Sequence, residues 1–381
     1  MDWVDTFMRA GMLAPSGDNL QPWRFGVDRP ERRLLLGCDP RRDPSPMNDG
    51  DTMARISLGA LVANVFLTHL HNRRPLPAAS VHDDGVVELR GVAFGAPPGE
   101  IPPLLRRRYT DRGRYGGSVL SSDLSQAASE AARAFAALAR QLSVPAPEAA
   151  LLRVHVVTQP ALLAHVAAAL TQADRWLFSH QAARSAFFEA LRRGLQGEQQ
   201  DAVEGLPIWT LKLGALERRM LRLTLRLPQR TVSWLGFARN VARRTRWLLR
   251  HTPALALITA PDWTKRTDVL LGLLTQLFWL ELTKRHYVTQ PMMALPVLRN
   301  MERGGLLPPQ TCDPLEDAVR EAVPEVDSDR LGFIMRIGRA TDIGRGPCRL
   351  PWKALAYPLT AHQDLDSQAE AGLPCNEASS R

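Results

Sequence analysis

Ala14-Pro15-Ser16-Gly17-Asp18-Asn19-Leu20-Gln21-Pro22-Trp23-Arg24-Phe25 is the most informative stretch of this 381-residue chain. A helical pattern from Trp3 to Leu13 runs into it and is broken by small, turn-forming residues. Pro22 and Trp23 then lead into an apolar run, so the stretch reads as a helix–loop–strand junction. The loop offers the side chains of Ser16, Asn19 and Gln21, and the backbone amides around Gly17, to a planar polar ligand.

Outward from this junction, Trp23–Asp28 and Arg33–Asp39 read as paired strands across the Arg29-Pro30-Glu31 turn. Thr52–Asn72 carries apolar residues at helical spacing. A strand near Val86–Phe94 and a linker broken by Pro97, Pro98, Pro102 and Pro103 follow. Helices are predicted at Ser122–Leu142, Pro160–Arg175, Gln181–Leu195, Asp268–Arg285 and Pro314–Ala322. Strands are predicted at Leu152–Thr158, Ala254–Ala260 and Gly332–Gly338, a loop at Tyr287–Pro296, and two helices broken near Pro228 inside a basic segment. A weak repeat lays Leu58–Leu67 over Leu271–Leu280. Each copy has a glycine (Gly59, Gly272) near the start of a long apolar helix and an amide (Asn64, Gln276) four or five residues on. Helices apolar on every side are buried, so the pair is expected to pack together at its glycines.

The formal charge of +9 is local. Pro207–His251 holds eleven Lys and Arg against the single acid Glu217, which puts +10 there and leaves the rest of the chain at −1. A wholly basic surface is excluded, and no recognised nucleic-acid module surrounds the segment, so no nucleic-acid partner is expected. Arg218, Arg222, Arg226 and Arg230 recur every four residues among leucines and tryptophans. That pattern suits a solvated lid over a site, a helix lying on an anionic membrane surface, or an acidic partner for residues 209–250. The four cysteines lie far apart and the histidines lack metal spacing, so neither disulfide framework nor metal site is expected. Without a leader pattern, a cytoplasmic protein is expected, in one reading peripheral to the inner membrane. The apolar run Val269–Leu282 is interrupted by Gln276 and Glu281 and is too short to span a bilayer.

A second polar run, Arg106-Arg107-Arg108-Tyr109-Thr110-Asp111-Arg112-Gly113-Arg114-Tyr115, sets Arg108, Thr110 and Arg112 at alternate positions. Guanidinium groups with a hydroxyl suit a phosphate dianion. The first stretch resembles the A-P-S-x-x-N-x-Q-P-W-x-F signature of the nitroreductase family, and the second its R-x-[ST]-x-R phosphate motif. In that family the phosphate motif precedes the loop within one subunit, FMN lies at a dimer interface, and the loop reaches the flavin from the partner. Here the order is reversed and each motif occurs once. That arrangement is similar to the single-chain, FMN-sequestering, dormancy-associated branch, and it covers most of residues 1–355 but not the insertion or the tail.

The resemblance implies an α+β nitroreductase-like fold, with two fused degenerate halves, mixed sheets flanked by helices, and a central long-helix pair. The halves would be 1–104 and 105–357, with a helical lid insertion at about 200–251 and a disordered tail at 358–381. It implies FMN contacts at Ser16, Gly17, Asn19 and Gln21, and at Arg108, Thr110 and Arg112. Thr289-Gln290-Pro291-Met292-Met293-Ala294 matches the family loop whose backbone N–H groups face the flavin, which adds Pro291, Met293 and Ala294. The terminal basic motif adds Arg345 and Arg349, with Cys348 where the family commonly has a second arginine. The expected activity is an FMN-dependent oxidoreductase passing a hydride through flavin N5 to or from a small molecule, with NAD(P)H or an oxygen-linked substrate as donor. The alternatives are FMN sequestration with little turnover, or a docked flavoprotein accessory to a biosynthetic pathway. No acid or base residue is singled out, and either a monomer or a homodimer is compatible.

Overall fold

The computed structural model describes residues 2–197, 204–326, 330–340 and 344–359. In chain order its elements begin with α1 (Trp3–Gly11), β1 (Trp23–Asp28), β2 (Arg33–Cys38), α2 (Thr52–His71), β3 (Ala78–Val81), β4 (Val87–Arg90), α3 (Pro103–Arg107) and β5 (Tyr115–Gly116). There follow α4 (Ser121–Gln141), α5 (Ala146–Ala149), β6 (Arg153–Val157), α6 (Pro160–Ser179), α7 (Gln181–Gly197), α8 (Ala215–Thr224), α9 (Gln229–Trp234) and α10 (Phe237–Arg250). The chain continues through β7 (Ala254–Ala260), α11 (Lys265–Lys284), β8 (Val288–Pro291), α12 (Ala294–Arg303), α13 (Asp313–Ala322), β9 (Arg330–Ala340) and β10 (Ala356–Pro358).

The fold is α+β, with two mainly antiparallel sheets against a central pair of long helices, α2 and α11. The first sheet runs β10-β1-β2-β4-β3, and the second runs β5-β9-β7-β6 with β8 also on β9. Only β10 enters parallel, setting Ala356 beside Phe25. A segment from late in the sequence therefore completes the sheet built by residues 23–90.

The central pair forms because both helices are apolar around their circumference and bury nearly every residue. The backbones touch where Gly59 faces Val269 and Gly272 faces Ile56. A Cβ at either glycine would collide with the carbonyl of the opposite helix. The repeat's two amides also meet: Gln276 Nε2 donates to Asn64 Oδ1 at 2.8 Å, and Asn64 Nδ2 donates to the Ala10 carbonyl at 3.1 Å. Asp268 on α11 accepts from Arg55 of α2 at 2.8 Å and from Arg330 of β9 at 2.6 Å, a buried triad joining both helices to the second sheet. Although α2 is long and apolar enough to cross a bilayer, it lies inside the protein core.

Most predicted elements are present within a few residues, with the following differences. Tyr287–Pro296 is not a loop but strand β8 followed by the start of α12. The 215–250 segment has three helices, because Gly236 at φ 72° breaks the chain again after Pro228. Strand β3 lacked a readable pattern, being four residues with one fully exposed. Pro358, the first residue of the expected tail, belongs to β10 and Leu359 is buried, while 360–381 lie outside the described residues.

Because the glycine contact is backbone on backbone, Gly59→Ala or Gly272→Ala should cost about 3 kcal/mol or more. Gly214→Ala, where a Cβ meets only the flexible Glu217 side chain at 3.5 Å, should cost within about 1 kcal/mol. Thermal unfolding of the three variants checks the contrast; similar melting temperatures would contradict the crossing.

Candidate functional site

Helix α1 stops at Gly11, which fits against Leu61 and Val65 of α2, and the chain enters the Ala14–Pro22 loop. Three non-glycine residues there adopt left-handed backbone: Asp18 (φ 44°), Asn19 (φ 59°) and Gln21 (φ 51°). Such conformations persist only when the surroundings impose them. The Gln21 N–H donates to Ser16 Oγ at 3.1 Å, and Gln21 Oε1 accepts from the Leu350 N–H at 2.8 Å. Arg349 donates to the carbonyls of Met12 (3.1 Å) and Ala14 (3.2 Å) and to Asn19 Oδ1. Past the loop, Trp23 Nε1 donates to Ser57 Oγ at 2.9 Å and pins the start of β1 to α2. The loop is thus held from behind by residues 349–350, leaving Pro15–Asp18 at the front.

The arginine run is anchored as firmly. Thr110 bridges to Thr289 of β8, and the Asp111 N–H donates to the Thr289 carbonyl at 2.9 Å. Arg336 of β9, fully buried, donates to the Asp111 (3.2 Å) and Gly113 (2.6 Å) carbonyls and to Gln290 Oε1 (2.8 Å). The Asp111 carboxylate accepts from Lys212 Nζ at 2.9 Å, which ties the basic segment to this run. Arg108 is buried over the Trp279 ring, with its Cζ 4.7 Å from the ring centroid. Its Nη2 donates to the Leu13 carbonyl at 3.3 Å, whereas its Nε and Nη1 have no hydrogen-bond partner. Burial, and then the charge of Arg349, push Arg108 down to about 9.

Between these anchors lies a cavity of about 630 Å³. One end is polar and made of Ser16, Gly17, Asp18, Thr110 and Arg112. Its floor is the helix crossing, with Ser57, Ala60, Gly272, Thr275 and Trp279, and one side is Gln290, Pro291, Met293 and Ala294. The roof is apolar and comes from the basic segment, through Leu211, Leu213, Met220, Leu221, Phe237 and Leu248. Helix α12 opens onto the cavity at Met293 with no side-chain cap on its first N–H groups.

The expected site residues divide into three groups. Ser16, Gly17, Thr110, Arg112, Pro291, Met293 and Ala294 line the cavity. Asn19, Gln21, Arg108 and Arg349 stand behind the lining; all but Arg108 have their polar groups engaged in bracing the loop. Arg345 is exposed at the surface, 5.4 Å from the Trp209 ring centroid, and is not part of the lining.

Three lining carboxylates were not singled out from the sequence. Burial raises Asp18 while Arg112 opposes the shift. Burial and then the charge of Asp18 raise Asp43 to about 7, and burial raises Asp174 to about 6 against a hydrogen bond from Thr245. Asp18 sits inside the quoted loop and could have been found there. Asp174 lies in an ordinary helical pattern and gave no signal.

No protein-family model matches the chain, and no curated protein matches it. Among solved structures it is similar to the FMN-dependent nitroreductase NfnB from Mycobacterium smegmatis, solved with NADPH, at 17% identity over 64% of this chain and 92% of that one, TM-score 0.34. It is similar to a BluB-like flavoprotein from Clostridium difficile 630 at 11% identity, over 69% of this chain and 100% of that one, TM-score 0.37. It is also similar to a nitroreductase with bound FMN from Desulfitobacterium hafniense DCB-2 at 14% identity, over 66% and 94%, TM-score 0.35.

Asp43 gives a pH test. Its folded-state pKa of about 7 lies above the ordinary 3.8, so the native state binds the proton more tightly and loses stability as pH rises between those values. Asp43→Asn keeps the hydrogen bond that Oδ1 accepts from the Ser45 N–H and removes the charge. The variant should melt several degrees above the parent at pH 8 and converge with it near pH 4. A constant gap across that range would remove Asp43 as the cause.

Proposed function

We propose that the cavity binds FMN and that the chain is an FMN-dependent oxidoreductase of the nitroreductase-like class. The observation that carries this is Arg108, a buried guanidinium just behind the lining whose Nε and Nη1 lack partners, in the run that brings Thr110 and Arg112 to the polar end of the cavity. Leaving charged donors buried and unpaired costs several kcal/mol, on the order of 3–5. A phosphate dianion would satisfy them, in keeping with the shifts of Arg108 and Arg112 below their usual range. The residues also suit the rest of the molecule. Ser16 and Gly17 offer polar groups to a planar ring, the helix crossing gives a floor, and Met293 and Ala294 bring backbone N–H groups to one side.

FMN, when bound, supplies the hydride chemistry at its N5 atom. The chain's residues would bind and orient it: Thr110 and Arg112 in the lining, with Arg108 behind them, would hold the phosphate, and Trp279, Ala60 and the 211–248 roof would exclude water from the cavity. Both walls come from one chain, with the Pro15–Asp18 loop from residues 1–104 and the arginine run from 105–357. We therefore propose that these two segments are the halves of a fused pseudo-dimer with one site. The substrate is a small molecule that fits the apolar roof, and NADH or NADPH is the proposed donor.

An absorption spectrum of the purified protein tests the binding, and its bleaching by anaerobic NADH or NADPH tests the donor. Bands that survive both nucleotides would support FMN sequestration or a substrate-driven dehydrogenase in place of a reductase. Arg108→Ala should weaken FMN binding about ten- to a hundred-fold, the weight of a charge-assisted hydrogen bond. Arg345→Ala should leave it within about twofold. Absence of flavin after reconstitution of the folded parent would overturn the proposal.

A further inference from the structure

The roof has an outer surface as well as an inner one. Among the described residues, ten large apolar side chains are exposed, and six of them lie between Leu216 and Trp247. Helix α8 buries none of its residues. Its Leu216, Met220 and Leu223 recur at the spacing of one helical stripe, and Trp234, at the end of α9, is 81% exposed. Of the eleven cations in the segment, Lys212 and Arg244 pair with Asp111 and Glu217. The other nine are exposed arginines with no ion pair among the described residues. An apolar stripe flanked by unpaired arginines is matched by a surface that offers both anions and hydrocarbon.

We infer that the α8–α10 face docks on an anionic lipid bilayer, with Leu216, Leu223 and Trp234 entering the headgroup–acyl boundary and the arginines on lipid phosphates. A nucleic acid would satisfy the arginines but leave the apolar stripe in water. A second copy docking face to face would set arginines against arginines, since the acids lie elsewhere in the chain. Met220 and Asn240 are exposed and also line the cavity, so the docked face is the one on which the cavity opens. Docking does not depend on the cavity holding a flavin.

Co-sedimentation of the full chain with phosphatidylcholine vesicles, with and without phosphatidylglycerol, tests the inference at low and high salt. Binding is expected to the anionic vesicles alone and to fall with salt. The variant Arg219→Glu/Arg222→Glu/Arg226→Glu should partition at least about a hundredfold less. Leu216→Ser/Leu223→Ser/Trp234→Ser should lose the quenching of tryptophan emission by vesicles that carry brominated acyl chains, and all variants should keep the parent's melting temperature and flavin content. Equal binding to neutral and anionic vesicles, or no vesicle binding, would overturn the inference. So would self-association abolished by the apolar variant, or duplex DNA competing the protein off anionic vesicles at matched salt. Loss of flavin with vesicle binding intact would count against the proposed cofactor and leave the docking surface standing.

Discussion

The backbone contact between α2 and α11, through Gly59 and Gly272, sets how closely the two central helices approach. Two helices that approach through glycine lie closer than side chains normally allow, so their apolar circumferences bury each other and both sheets close around them. The floor of the cavity is this crossing: Ala60, Gly272 and Thr275 are small because larger residues would fill the space or push the helices apart. A single buried amide pair, Gln276 to Asn64, fixes the relative rotation. Unpaired amides inside an apolar core are costly, so any rotation that separated them would be penalised.

With the crossing fixed, the return of a late segment to the first sheet becomes the second constraint. Strand β10 adds to β1, and the segment before it passes behind the Ala14–Pro22 loop, where Arg349 and the Leu350 N–H take up the loop's carbonyls and amides. Three left-handed residues in that loop would relax if the brace were absent. Arg349 is therefore better placed to shape the loop than to meet a ligand, because its donors are already used. Arg108 is the reverse case: it is buried where Arg349 is only half-buried, and its Nε and Nη1 are unspent. The contrast separates two arginines that sequence spacing alone treats alike.

The legible part of this protein was local. The apolar periods of α2 and α11, the breakers at Pro15–Asp18 and the strand Ala254–Ala260 needed no tertiary context to be read. The glycine-and-amide repeat anticipated the helix crossing because close approach leaves a compositional mark. Strand β8 and the start of α12 were missed because Thr289–Pro296 carries two prolines and two methionines, a composition typical of a loop, and its strand character is imposed by pairing with β9. Asp43 and Asp174 were missed for another reason. An acid is marked as unusual by its burial, and burial depends on which distant residues cover it; here the cover includes the roof itself, through Thr245.

The basic segment shows how charge and fold become coupled. Lys212 turns inward to the fully buried Asp111 at the start of the roof, and Arg244 holds the Leu211 carbonyl while pairing with Glu217. These contacts use two cations to fasten the roof near residues 211–217 and leave the other arginines exposed. The roof's inner face gains nothing from those exposed charges, since its leucines and phenylalanines pack against α7 and the cavity. Self-repulsion among so many like charges on three short helices opposes folding of the segment. Its small core, built on Phe188, Leu191, Leu206, Ile208, Leu225 and Val232, must offset that repulsion. The proposed anionic bilayer would relieve that repulsion, and the exposed apolar stripe beside the arginines is what favours a bilayer over other anions.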